Sequence, residues 1–449
     1  MDIGGLGKME ITIVGLGYVG LVNATYLASL GNTIFAYDID KNKISLLRQG
    51  VATLEEPNLQ ELLTESLPNL RFSNNHKDAF RHATHIFICV DTPQGKDGEV
   101  DLRNFYAVLD NIAEDSIQDQ TIIIRSTVPV GTNKIAKQYL ENKCSHHFDI
   151  VSFPEFLSQG KALENMIHPD RLVLGVNDQK GVAKAKEIAQ LYLIKKAPVM
   201  ITSSENAELI KYASNCYLAM KISYINNIAQ LCEKVGADVE KVAKGMSLDP
   251  RIGESFLKAG IGYGGSCFPK DTNGLYWIAN DNSVPMELVR STIHINESQI
   301  KFFLDKIYRR FKSLSNLNVA VLGVAFKGGT EDVRNSQAIP IVKALLEKNA
   351  NVSIYDPLAM DNFHKIFSRH QHIKYVDYAV DALKNADLAV ILNDSQEFID
   401  LKPTDFIGNM RKPVIFDGRN LYKVESMDGC EYHSIGRPSL VKKTRSRKH

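Results

Sequence analysis

One thiol closes a glycine-rich stretch, Phe256 to Asp271, that reads FLKAGIGYGGSCFPKD. Glycine lets backbone adopt positive φ or approach a neighbour closely, so Gly260, Gly262, Gly264 and Gly265 describe a loop that presses main chain against something. Cys267 ends that loop beside Lys270, and Asp271-Thr272-Asn273 reads as a helix N-cap. A helix N-terminus and a nearby ammonium both favour thiolate over thiol, the state a nucleophile needs. Two readings of Cys267 stay open on this stretch: a nucleophile, or a buried and inert cysteine.

A second chemistry is written near the N-terminus. The apolar strand Glu10 to Val14 runs into Gly15-Leu16-Gly17-Tyr18-Val19-Gly20, and Leu21 to Leu30 carries helical spacing that Gly31 stops. A further strand, Thr33 to Tyr37, ends in Asp38. Strand, G-x-G-x-x-G, helix, strand and acid is a dinucleotide fingerprint: Gly15, Gly17 and Gly20 admit a pyrophosphate to a helix N-terminus, and the acid receives ribose hydroxyls. The Asp38 carboxylate would repel a 2′-phosphate, so NAD rather than NADP is expected. A tight turn without a ligand is the alternative.

The elements that must position these groups follow in order. Strand-like runs His85 to Val90 and Thr121 to Arg125 lead into Thr92 and Thr127, which sit where an open parallel sheet binds ligands, unless they serve only turn chemistry before a proline. The strand Asp149 to Phe153 leads into PEFLSQG, where Glu155 is a candidate acid or base or else a solvated loop carboxylate. From Ser204 a long apolar helix runs to Gly236, with Lys211 and Asn215 at i, i+4 on one face. That pair is either an oxyanion clamp or a wet polar stripe, and the helix also offers a dimer surface. Asp238 to Gly245 reads as another helix.

The last third repeats the first: strand Asn318 to Leu322, Gly323, loop, helix Ser336 to Lys348, strand Val352 to Tyr355, Asp356. The full G-x-G-x-x-G is absent here, so no dinucleotide is expected at this copy. Ala386 to Leu392 and Pro413 to Phe416 read as later strands. Lys327, Arg334 and Arg419 are cations that suit a phosphorylated substrate. The expected fold is α/β: two Rossmann-like, doubly wound parallel-sheet domains joined by a central helical region. The expected division is 1–202, 203–300 and 301–440, followed by a basic tail, 441–449.

Composition fits that plan. A chain of 449 residues is too long for one core. A hydrophobic content of 44%, a charged content of 23% and a net charge of +1 are those of a soluble globular protein with no field marking it for nucleic acid or membrane. The 6 cysteines are scattered, without C-x-x-C or clustered ligand spacing, which points to a reducing compartment and no metal. No basic, apolar leader opens the chain and no apolar run suggests a span, so a cytoplasmic location is expected. The first eight residues read as a dispensable extension and the tail as a frayed, solvated terminus.

In this order, GLGYVG, Asp38 with Lys43, STVP, PEFL, Lys211 with Asn215, GYGGSCFPKD, GVAFK and FDGRN resemble the UDP-glucose/GDP-mannose dehydrogenase family over nearly the whole chain. The resemblance implies an NAD-dependent, four-electron oxidation of a nucleotide sugar's 6-hydroxyl to a carboxylate. The FLKAGIGYGGSCFPKD form with FDGRN points to UDP-glucose as substrate; GDP-mannose or a UDP-N-acetylhexosamine is the sibling alternative. A two-electron dehydrogenase of the β-hydroxyacid type is the mechanistic rival, and an NAD-sensing protein with Cys267 as redox switch would have no use for Lys211 and Asn215. By the same resemblance Cys267 forms a thiohemiacetal and then a thioester, Lys211 and Asn215 steady the alkoxide, and Asp271, Thr127 and Glu155 handle water and protons. Cofactor contacts would come from Val19, Asp38, Lys43, Thr92, Thr127, Gln159, Lys270 and Arg334. Substrate contacts would come from Glu155, Phe156, Leu157, Ser158, Gln159, Lys211, Asn215, Phe256, Leu257, Lys258, Ala259, Gly260, Gly264 and Lys327. A homodimer through the central helix is expected. One departure stands out: relatives commonly carry Arg-Glu after PEFL, where this chain has Ser158-Gln159. The TPT of many relatives is here Thr92-Pro93-Gln94.

Overall fold

The computed structural model describes residues 8–440 except 82, 193–196 and 369, so the basic tail and residues 1–7 of the N-terminal extension lie outside the described residues. The chain divides into two compact units. One holds the residues up to Ser214 together with Trp277–Ser283; the other holds Asn215–Tyr276 and the residues from Val284 onward.

The first unit is built on an eight-stranded sheet of β1 (Glu10–Val14), β2 (Thr33–Tyr37), β3 (Leu70–Ser73), β4 (His85–Ile88), β5 (Gln120–Ile124), β6 (Phe148–Ser152), β7 (Leu172–Val176) and β8 (Val199–Ser203). Their order is β3-β2-β1-β4-β5-β6-β7-β8. Strands β4, β5 and β6 are buried along their whole length, as a sheet covered on both faces requires. β1 and β2 pair in parallel from Glu10 with Thr33 to Val14 with Tyr37, which sets Gly15 and Asp38 side by side at the carboxyl end. β7 meets β6 antiparallel at Ser152 and Gly175, so the last two strands reverse direction relative to the first six.

The second unit carries a fully parallel sheet, order β11-β10-β9-β12-β13-β14. Its strands are β9 (Asn318–Leu322), β10 (Asn351–Tyr355), β11 (Ile373–Tyr375), β12 (Leu388–Ile391), β13 (Val414–Asp417) and β14 (Glu431–His433). The central helix is continuous from Ser204 to Val235, and the border between the units falls within it. A second long helix, Glu287–Arg310, was not legible from spacing, because it turns Thr292, Asn296, Gln299 and Lys306 inward and so blurs its apolar stripe. Among the described residues no helix is long and apolar enough to cross a membrane.

One sequence expectation is corrected here. The helix after the glycine loop spans Phe268–Asp281 and does not start at Asp271. The Cys267 carbonyl accepts the Asp271 N–H at 2.8 Å, so Cys267 itself is the N-cap. Pro269 is no obstacle, because the first turn lacks intrahelical N–H partners in any case.

Candidate active site

At the end of β1 the chain turns through Gly15, with φ +85°, and the helix Tyr18–Ser29 begins at once. A Cβ at Gly20 would lie 1.8 Å from the Gly15 carbonyl oxygen, so the turn closes only with glycine there. Gly17 is the N-cap and contributes no side-chain cap, and a Cβ on it would find its nearest neighbour, Asp91 Oδ1, 4.0 Å away. The helix end is therefore open on that side, the arrangement that offers first-turn N–H groups to an anion. Asp38 lies against the turn: its Oδ2 accepts the Leu16 N–H at 2.8 Å and the Lys43 ammonium at 2.7 Å, while Oδ1 accepts the Asp40 N–H at 2.9 Å. Val19 is half-buried in the first helical turn. Thr92 donates its hydroxyl to the Thr127 carbonyl at 2.6 Å, tying together the loops that follow β4 and β5.

Beyond β6, Glu155 and Lys211 form a buried ion pair. The ammonium donates at 2.8 Å both to Glu155 Oε1 and to the Glu155 carbonyl, and Leu157 N–H donates to Oε2 at 2.5 Å. Burial raises the Glu155 pKa, but the charge and hydrogen bond of Lys211, the Leu157 N–H and the Arg125 charge outweigh it and hold the group below the usual carboxylate range. Arg125 was not found by sequence reasoning. It is buried with its guanidinium 4.3 Å from the Phe153 ring centroid, and it lines a cavity of about 40 Å³ with Glu155, Phe156, Leu157, Arg171 and Tyr192. Arg171 stacks on Phe156 at 3.9 Å. Ser158 is exposed and Gln159 half-buried, and the Ser158 N–H donates to Asn165.

In the second unit the thiol loop is held by side-chain amides. Asn226 accepts the Gly260 N–H, Gln299 donates to the Gly260 carbonyl, Asn296 brackets Tyr263 through its N–H and carbonyl, and Gln337 adds a second donor to that carbonyl. These four residues are buried and come from three separate segments, so no local pattern announced them. The loop glycines press against the protein's own atoms. A Cβ would lie 2.8 Å from the Gly418 carbonyl at Gly260, 2.3 Å from the Asn335 carbonyl at Gly264 and 2.9 Å from the Phe326 ring at Gly265. Arg419 likewise departs from the expectation of a cation offered to phosphate: it donates to the Leu392, Gly262 and Phe326 carbonyls at 2.8, 3.0 and 2.9 Å. A planar five-donor fork suits that bracing role.

Cys267 is half-buried, 3.7 Å from Ser266 Oγ. One turn along, the fully buried Asp271 carboxylate accepts from Asn215 Nδ2 at 2.6 Å and pairs with Lys270 at 2.6 Å. The neighbouring Cys216 sits 3.6 Å from the Asp271 carbonyl; burial and the Asp271 charge push its thiol up to about 12, so it stays protonated. Leu257 and Ala259 are buried, Lys258 is exposed, and Phe256 holds φ +66° with its ring 6.0 Å from that of Phe268. Lys327 lies 5.6 Å from the Phe326 ring, and Arg334 pairs with Asp332 at 2.7 Å.

Three domain descriptions of one family match in succession: the NAD binding domain of the UDP-glucose/GDP-mannose dehydrogenase family at residues 9–193, its central domain at 205–298 and its UDP binding domain at 320–424. The chain belongs to the UDP-glucose/GDP-mannose dehydrogenase family. It is an NAD-dependent dehydrogenase. Its sequence is 41% identical over 437 residues to the UDP-glucose 6-dehydrogenase TuaD of Bacillus subtilis, covering 96% of this chain and 94% of that one. A UDP-glucose dehydrogenase from Pyrobaculum islandicum superposes with a TM-score of 0.90 at 30% identity, covering 97% of this chain and 99% of the other. A UDP-D-ManNAc dehydrogenase from Pyrococcus horikoshii gives 0.85 at 28% identity, covering 96% and 99%. NAD fits the residues that the first unit offers: the open Gly17 cap, the closed Gly20 turn and a carboxylate already fixed beside them. Gly15, Gly17 and Val19 would hold its pyrophosphate and Asp38 its ribose.

Proposed function

We propose that this family member oxidises the 6-hydroxyl of UDP-glucose to the carboxylate of UDP-glucuronate, with Cys267 as covalent nucleophile. The observation that carries the reading is the placement of Cys267. It caps a helix N-terminus, escapes full burial and stands one turn from the Asn215, Asp271 and Lys270 network, on a loop braced by buried amides. Two NAD, bound in turn, would accept the two hydrides. The alcohol first loses a hydride and a proton to give an aldehyde. The Cys267 thiolate then adds to the aldehyde carbon, and the resulting thiohemiacetal is again a hydride donor. Loss of the second hydride leaves a thioester, which water cleaves to the carboxylate and the free thiol. Lys211 and Asn215, one turn apart on the central helix, donate to the developing alkoxide. Glu155, kept ionised by Lys211, accepts protons, and Asp271 with Thr127 positions the water. Where the resemblance to the family implies a glutamate, Gln159 keeps its size without its charge.

Counting NADH tests the scheme: two per UDP-glucose are expected, and one would sink the thioester route. A panel with GDP-mannose and UDP-N-acetylhexosamines tests the substrate, since the resemblance to a UDP-D-ManNAc dehydrogenase keeps that sibling in view. Turnover of one of these without turnover of UDP-glucose would reassign it. Cys267→Ser should lower uronate formation on the order of 10³-fold or more while NADH affinity stays within about twofold, because the cofactor turn is on another segment. The reading extends to a cytoplasmic homodimer. Tyr217, Tyr224, Leu231 and Val235 leave an exposed apolar stripe along the central helix. A monomer by light scattering would remove that part.

A further inference from the structure

We propose that Glu56 is a positioning residue that couples the cofactor turn to the loop carrying Glu155 to Gln159. Glu56 belongs to neither segment, yet its carboxylate joins both. Oε2 accepts the Tyr18 hydroxyl and, at 2.7 Å, the Gly160 N–H; Oε1 accepts the Leu163 N–H at 3.2 Å. The Tyr18 oxygen in turn accepts from Gly160 at 2.7 Å. Tyr18 follows Gly17 as the first residue of the helix Tyr18–Ser29, and Gly160 follows Gln159 directly with φ +79°. Glu56 is 9% exposed, so these bonds form largely out of water, where removing an acceptor strands its donors.

The consequence concerns ligands. Neither the Gly15–Gly20 turn nor the residue 155–160 loop can shift without loosening the Tyr18, Glu56 and Gly160 triangle. A dinucleotide that settles on the turn therefore fixes the loop, and a nucleotide sugar that settles on the loop fixes the turn. Each ligand strengthens the other's binding by the same factor, as linkage requires. This rests on the functional reading above only in taking the loop as the sugar side.

NADH titrated by fluorescence into the full-length protein, with and without saturating UDP-glucose, tests the coupling, since those two ligands cannot react with each other. In the native protein UDP-glucose should tighten NADH about tenfold, within the range typical of coupled sites. Glu56→Gln and Tyr18→Phe should each bring that ratio close to one, the double variant should lose no more than either single change, and Glu56→Asp should restore part of it. A native ratio of one, or variants that weaken both ligands yet keep the native ratio, would overturn the proposal in favour of a merely structural carboxylate. If Glu56→Gln fails to fold, Tyr18→Phe, which removes a single oxygen, decides alone. If the panel shows another nucleotide sugar oxidised in place of UDP-glucose, the functional reading changes and the ratio is measured with that sugar.

Discussion

The two halves of the chain begin with the same strand, glycine, helix, strand, aspartate order and use it differently. β1 and β9 each end in a glycine of positive φ, Gly15 at +85° and Gly323 at +90°, and in each half an aspartate after the next strand accepts N–H groups from that turn. In the first half only Gly15–Gly17 separate β1 from its helix, and Asp38 accepts from Leu16, Asp40 and Lys43. In the second half the loop 323–337 intervenes before the helix Ala338–Glu347, and Asp356 accepts from Val324, Ala325, Leu358, Ala359 and Asn393. An ionised carboxylate has room for about four such bonds, so Asp356 is saturated by its own chain. The shared pattern thus encodes a turn braced by an acid. It becomes a dinucleotide site only where a helix N-terminus follows at once and the acid keeps capacity for a ligand.

Breaking the turn should separate the halves most sharply. Gly20→Ala, whose Cβ has no space, should raise the NADH Kd by about 100-fold or more, whereas Gly323→Ala should lower thermal stability and leave the Kd within about twofold. Next in size, Asp356→Asn should cost about 2–3 kcal/mol in equilibrium denaturation by stranding main-chain donors, with little change in NADH affinity. Smaller again, Asp38→Asn should weaken NADH about tenfold, near 1.4 kcal/mol, while stability moves by less. Were Asp356→Asn to weaken NADH as much as Asp38→Asn, the two halves would have to be treated as functionally alike.

Much of this contrast was legible in the sequence, because it rests on local signals. The strands Glu10–Val14, Thr33–Tyr37 and Asn318–Leu322 and the helix from Ser204 follow directly from apolar runs and glycine stops. What escaped was long-range. The amides Asn226, Asn296, Gln299 and Gln337 act on a loop remote from them in the chain, and Asn296 and Gln299 belong to the helix whose inward polar residues hid its period. Arg125 and Glu56 look like ordinary charged residues until their partners are known, and Arg419, expected to face phosphate, braces three main-chain carbonyls instead. The start of the Cys267 helix was misplaced because Asp271-Thr272-Asn273 has the side chains of an N-cap, whereas Cys267 caps the helix through its carbonyl.

The bracing of the thiol loop has a consequence for ionic strength. Asn226, Asn296, Gln299 and Gln337 hold Gly260 and Tyr263 through neutral, buried dipoles, on which dissolved salt has almost no purchase. The Asp38 and Lys43 pair at the cofactor turn is different: the lysine is 26% exposed, within reach of ions whose screening length is about 8 Å at physiological strength. Salt is therefore expected to act on this protein selectively, weakening the Asp38 and Lys43 pair while the loop that carries Cys267 stays where the fold has put it.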